Sequence, residues 1–110
     1  MTTALRRFDG KNILITGAAS GIGQASAIRF AEEGGNVALL DVNEAGLAST
    51  AASCEKLGVK VFKTLCDVTS YENVNAAVDA AAEALGGIHV CAHIAGVLKS
   101  EGYLDDVRVG

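Results

Sequence analysis

Apolar positions along the chain change their period several times, and each change marks an element. Ile13-Leu14-Ile15, a β-branched-rich run after polar Lys11-Asn12, predicts a short strand. From Gly23 the period lengthens: Gly23, Ala27, Phe30, Ala31 and Gly34 recur at helical spacing and make one small apolar face, and Gly34-Gly35 stops the helix. Val37-Ala38-Leu39-Leu40 predicts a second strand, buried on both faces and ending at Asp41. A helix is expected from about Asn43-Glu44, burying Leu47, Ala51 and Cys54 before Gly58 ends it. Val59-Lys60-Val61-Phe62-Lys63 is read as alternating apolar and charged residues, as a half-exposed strand near a sheet edge does. Thr69 and Glu72 have capping-box spacing at the start of a third helix, whose stripe is Val74, Ala77, Val78, Ala81 and Leu85 and whose end is Gly86-Gly87. Residues 88–94 predict a fourth strand. The order βαβαβαβ predicts an α/β chain with a doubly wound parallel sheet of four strands.

Composition narrows the picture. The chain has 110 residues, enough for one small domain, and half of them are apolar, so a core can form without disulfide staples. Aromatic residues are 5% and tryptophan is absent, so that core must be built from Ala, Val, Ile and Leu. The formal net charge is −4, and the nine basic residues are scattered rather than striped. This argues against a nucleic acid or an anionic membrane as the main partner. Cys54, Cys66 and Cys91 are widely spaced with no CxxC, a pattern suited to a reducing compartment. The opening MTTALRRFDGKN lacks the apolar run of a signal peptide, and no segment reaches membrane-spanning length, so a cytoplasmic location is expected.

Between the first strand and the first helix lies Gly17-x-x-x-Gly21-x-Gly23. A tight turn out of a strand and a close approach of backbone to a pyrophosphate both need residues without a Cβ, and the last glycine lets helix and strand pack closely. Backbone N–H groups near Ser20, Gly21 and Ile22 then face an anion at the positive end of the helix dipole. A glycine-rich turn with no ligand has the same composition, so the loop alone does not decide. Asp41 adds weight, because it ends the second strand eighteen residues past Gly23, where a dinucleotide-binding fold places an acid on the ribose hydroxyls. The bland alternative for Asp41 is a solvated strand-end acid or a cap for the next helix. A carboxylate there repels a 2′-phosphate, and no Arg or Lys within the loop or directly after Asp41 offsets it, so NAD is favoured over NADP.

These residues resemble a family. Thr16-Gly17-Ala18-Ala19-Ser20-Gly21-Ile22-Gly23 is similar to the TGxxxGIG cofactor motif of the short-chain dehydrogenases/reductases. Asp67-Val68, after the third strand, is similar to the aspartate-valine pair of that family, and Ala95-Gly96 matches the second half of its Asn-Asn-Ala-Gly element. The resemblance runs from about residue 8 to residue 96 and implies a Rossmann-like sheet. It implies that Gly17, Ser20, Gly21 and Ile22 line the pyrophosphate and that Gly23 is mainly a packing glycine. It further implies Asp41 at the ribose, Asp67 and Val68 at the adenine, and the backbone of Ile94, Ala95 and Gly96 near the nicotinamide ribose. The two family asparagines are His93 and Ile94 here, and the acid that usually opens that strand is His89.

The family's chemistry also needs a Tyr-x-x-x-Lys on a helix, with a serine and another asparagine. By resemblance, the tyrosine is the acid/base and the lysine lowers its pKa and binds ribose. Neither Tyr71 nor Tyr103 is followed by lysine four residues on, and Lys99-Ser100-Glu101-Gly102-Tyr103 has the pair reversed across a helix-weakening glycine. His89, Cys91 and His93 fall on one face of the fourth strand, where core roles outweigh a metal site, so no metal and no catalytic residue is assigned. The family's strand order would leave the apolar fourth strand as an uncovered edge. The expectation is that residues 1–110 form one NAD-binding domain of a short-chain oxidoreductase, cut before its catalytic part, with the remainder or another chain covering strand four and a homo-oligomer at full length. The alternatives are a stand-alone, non-catalytic dinucleotide-binding or interaction module and, more weakly, a doubly wound domain holding another phosphate ligand.

Overall fold

The computed structural model describes residues 6–19 and 21–93. Seven elements alternate as β1 (Asn12–Thr16), α1 (Gly21–Glu32), β2 (Asn36–Asp41), α2 (Glu44–Glu55), β3 (Val61–Leu65), α3 (Tyr71–Leu85) and β4 (Val90–His93). The four strands are parallel, in the order β3-β2-β1-β4. The doubly wound parallel sheet expected from the alternation, and the Rossmann-like fold the resemblance implied, are the observed fold, with the strand order reversing between β1 and β4.

Side-chain alternation in the two inner strands builds a core on each face. Ile13 and Ile15 of β1 join Val37 and Leu39 of β2 beneath α1 and α2, which supply Ala27, Ala31, Leu47, Ala51 and Cys54. Leu14, Ala38 and Leu40 point the other way, against Ala77, Ala81 and Leu85 of α3. Ile13, Ile15, Val37, Leu39 and Leu40 have no exposed surface, and burying each such side chain stabilises the fold by roughly 1.5–3 kcal/mol. Small residues on α1 let it lie close to the sheet. Phe8 and Phe30 meet edge to face, ring centres 4.8 Å apart, beside the same core.

Three boundaries differ from expectation, each for a physical reason. The third strand runs Val61–Leu65, not 59–63. The Lys60 N–H is taken by the Asn36 side-chain carbonyl at 2.9 Å, and the ladder opens with Val37 opposite Val61. The third helix is capped by Ser70 rather than Thr69, its Oγ accepting from the Asn73 N–H at 3.2 Å. Thr69 is drawn back by Asp67, whose Oδ1 accepts both its N–H (2.9 Å) and its hydroxyl (2.6 Å). The fourth strand begins at Val90, because His89 spends its N–H on the Asn12 carbonyl just before the ladder starts. Among the described residues β4 is an outer strand, as expected, and no helix is long and apolar enough to cross a membrane.

Candidate functional site

The parallel ladders bring the ends of β1, β2 and β3 to one edge: Thr16 lies opposite Leu40, and Asp41 opposite Leu65. The glycine turn, Asp41 and Asp67 thus come from three different loops to the carboxyl end of the sheet, next to the switch point.

The turn itself is fixed by backbone. Gly17 (φ 70°) and Gly21 (φ 59°) adopt left-handed conformations that residues with a Cβ resist. Gly23 is buried in α1, where a Cβ would run into the Gly17 carbonyl oxygen. The helix therefore starts directly against the turn. A Cβ at Gly21 would meet nothing within 4 Å, so the space beside the helix start is open. The first turn of α1 contains no acid, whereas α2 and α3 carry Glu44 and Glu72 there. An anion over the start of α1 would meet the positive end of the dipole without a competing carboxylate from that turn. Ile22, in the same turn, is 72% exposed.

Asp41 is bonded to the turn. Its Oδ2 accepts the Ala19 N–H at 3.0 Å, and its Oδ1 accepts the N–H groups of Val42 (2.7 Å) and Asn43 (3.0 Å). Asn43, not Asp41, caps α2, through Gly46 N–H at 3.0 Å. Asp67 is exposed, and the Thr69 hydroxyl, then its N–H, hold the carboxyl below the usual aspartate value. Val68 is half-buried against the α3 side of the core. Ser20, Ile94, Ala95 and Gly96 lie outside the described residues, as do Lys99 and Tyr103.

At the switch point Thr16 Oγ1 and His93 Nδ1 are 2.8 Å apart, joining β1 to β4. Burial lowers the His93 pKa below the ordinary histidine value, so the imidazole is neutral at pH 7. His89 is used differently: its Nδ1 accepts the Asn12 N–H at 2.9 Å at the other end of the sheet. Burial also raises the Cys91 thiol, which is therefore protonated at neutral pH and a poor nucleophile.

Sequence inspection overlooked an apolar rim. Among the described residues, four of the five exposed large apolar side chains sit around this edge: Ile22 after β1, Val42 after β2, Leu65 ending β3 and Tyr71 opening α3. The available signal was Val42, apolar at a loop position, and Tyr71, at the start of a helix but outside its apolar stripe. Such side chains beside two carboxylates suit a ligand with a flat apolar part and hydroxyl groups.

Comparison with known proteins agrees with this geometry. The short chain dehydrogenase family model matches residues 11–107. A 2,5-dichloro-2,5-cyclohexadiene-1,4-diol dehydrogenase, LinX, of Sphingobium indicum is 39% identical over 100 residues, which is 91% of this chain and 40% of that protein. A crystal structure of NAD+-bound xylitol dehydrogenase superposes with a TM-score of 0.75 at 44% identity, over 77% of this chain and 33% of that one. A short chain dehydrogenase/reductase from Burkholderia phymatum in complex with NAD gives a TM-score of 0.73 at 40% identity, over 83% and 31%. The chain spans less than half the length of these relatives. By family match, sheet order and glycine turn together, this chain belongs to the short-chain dehydrogenase family of oxidoreductases.

Proposed function

We propose that this chain is the NAD-binding portion of a short-chain dehydrogenase, in which hydride passes between a nicotinamide and an alcohol or carbonyl carbon. The chain's share is to hold and orient the dinucleotide, and proton transfer falls to residues beyond those of this sequence. Gly17, Ser20, Gly21 and Ile22 would line the pyrophosphate, with Asp41 at the adenosine ribose, Asp67 and Val68 at the adenine, and Ile94, Ala95 and Gly96 near the nicotinamide. Gly23 keeps α1 against the turn. The three free cysteines favour a reducing, cytoplasmic setting.

The observation that carries this proposal is the Ala19 N–H to Asp41 Oδ2 bond, which fixes a carboxylate beside the glycine turn. A carboxylate in that place accepts from a ribose diol and repels a 2′-phosphate, so NAD is preferred to NADP. Fluorescence titration of the 110-residue chain should show NADH binding more tightly than NADPH. Asp41→Ala should weaken NADH about 30-fold and erase most of that preference. A variant with unchanged selectivity would remove Asp41 from the ribose. The stand-alone binding module predicts the same titration and differs only for the whole protein, where it allows no alcohol-dependent NAD reduction.

A further inference from the structure

The glycine turn is held from behind by α2. Thr50, with no exposed surface, donates its hydroxyl to the Ala18 carbonyl at 2.8 Å and accepts from Gln24 Nε2 at 3.0 Å. One hydroxyl therefore ties the turn, the first turns of α1 and the middle of α2. One helical turn before Thr50, Gly46 lets α2 come up against the same segment: a Cβ there would lie 2.5 Å from the Ala19 carbonyl oxygen and 2.7 Å from its Cβ. From the sheet side, Leu40 O accepts the Ala18 N–H at 3.2 Å and Asp41 takes that of Ala19. The peptide groups of Ala18 and Ala19 are thus clamped between α2 and the end of β2.

Threonine is a poor helix interior residue, and its hydroxyl in a helix commonly bonds back to its own preceding turn. Here the hydroxyl leaves the helix for a carbonyl thirty-two residues earlier. Valine would fill the same volume, so packing alone does not account for a polar group at a site without solvent.

We infer that Thr50 is a positioning residue for dinucleotide binding, acting through Ala18 to hold the Ala18 and Ala19 peptide planes of the turn. This rests on the dinucleotide-binding proposal above. A turn already ordered before the ligand arrives does not lose conformational freedom when the phosphates bind, and that saving appears as affinity.

The test compares Thr50→Val, Thr50→Ser and a control, Leu85→Ala, which thins the core on the opposite face. Each 110-residue chain is measured for NADH affinity, melting temperature and amide exchange without ligand. Valine should weaken NADH about tenfold at a temperature where every variant is folded, and speed exchange at Ala18 and Ala19. Serine should restore both, while Leu85→Ala should lower the melting temperature and leave affinity unchanged. A valine variant that melts earlier yet binds NADH like wild type would overturn the inference and leave the dinucleotide proposal standing. Wild type that binds no NADH would overturn both. If the valine variant does not fold, Gln24→Leu, on the partly exposed surface of α1, tests the same tie: about a threefold loss supports it and no loss overturns it.

Discussion

At the amino ends of the strands, polar side chains bond to one another and to buried carbonyls; at the carboxyl ends of β2 and β3, Asp41 and Asp67 bond chiefly to loop backbone. Asn12, 5% exposed, donates through Nδ2 to the carbonyls of Leu85 (3.0 Å) and Gly87 (2.9 Å), and its Oδ1 accepts from Asn36 Nδ2 at 2.9 Å. Asn36 in turn holds the Lys60 N–H, so one chain of amides ties β1, β2, the lead into β3 and the end of α3. Beyond α1, buried Glu33 accepts from Arg7 Nε and Nη2 (2.7 and 2.8 Å) and from Arg29 Nε (2.7 Å). At the other end, Asp41 and Asp67 gather backbone N–H groups while Ile22, Val42, Leu65 and Tyr71 stand in solvent. The first end is closed on itself and serves register and stability. The second keeps oriented backbone and apolar surface in contact with solvent.

That contrast can be broken in three ways. Gly23→Val should have the largest effect, because the side chain collides with the Gly17 carbonyl on which the turn is built. A stability loss of about 3 kcal/mol in urea titration, with NADH binding abolished, is expected. Full binding would mean that the turn tolerates a different path. Asn12→Ala should cost about 2 kcal/mol, since it strands two carbonyls and an amide, yet leave NADH affinity within about twofold of wild type. Loss of affinity beyond that would show that the two ends are coupled.

The smallest effect is in pH. Hydrogen bonds from Arg7, then Arg29, pull the Glu33 carboxyl from 4.5 down to about 2. The unfolded chain therefore takes up this proton first as pH falls. The stabilisation is full above pH 4.5 and disappears as pH drops through about 2. Melting curves between pH 6 and 3 should fall less steeply for Glu33→Gln than for wild type, and parallel curves would remove Glu33 from the acid response.

Much of the fold was legible because its signals are short. The runs at Ile13 and Val37, the small-residue face of α1 and the paired glycines after α1 and α3 each report local conformation. The spacing from Gly23 to Asp41 likewise put a carboxylate near the turn, and the structure joins the two at Ala19. Less legible were Thr50, whose partners lie 26 and 32 residues away, and the Thr16–His93 pair, 77 residues apart. Nothing near either residue in sequence announces its partner.

By itself, then, the sequence determined the order of strands and helices, the conformation of the glycine turn and the presence of an acid at the end of β2, because periodicity, absent Cβ atoms and strand length act locally. Only the tertiary structure decided that β3 starts at Val61 and that α2 reaches back to hold Ala18. Those choices depend on which distant donor meets which acceptor, and only the register and packing of the finished sheet set that.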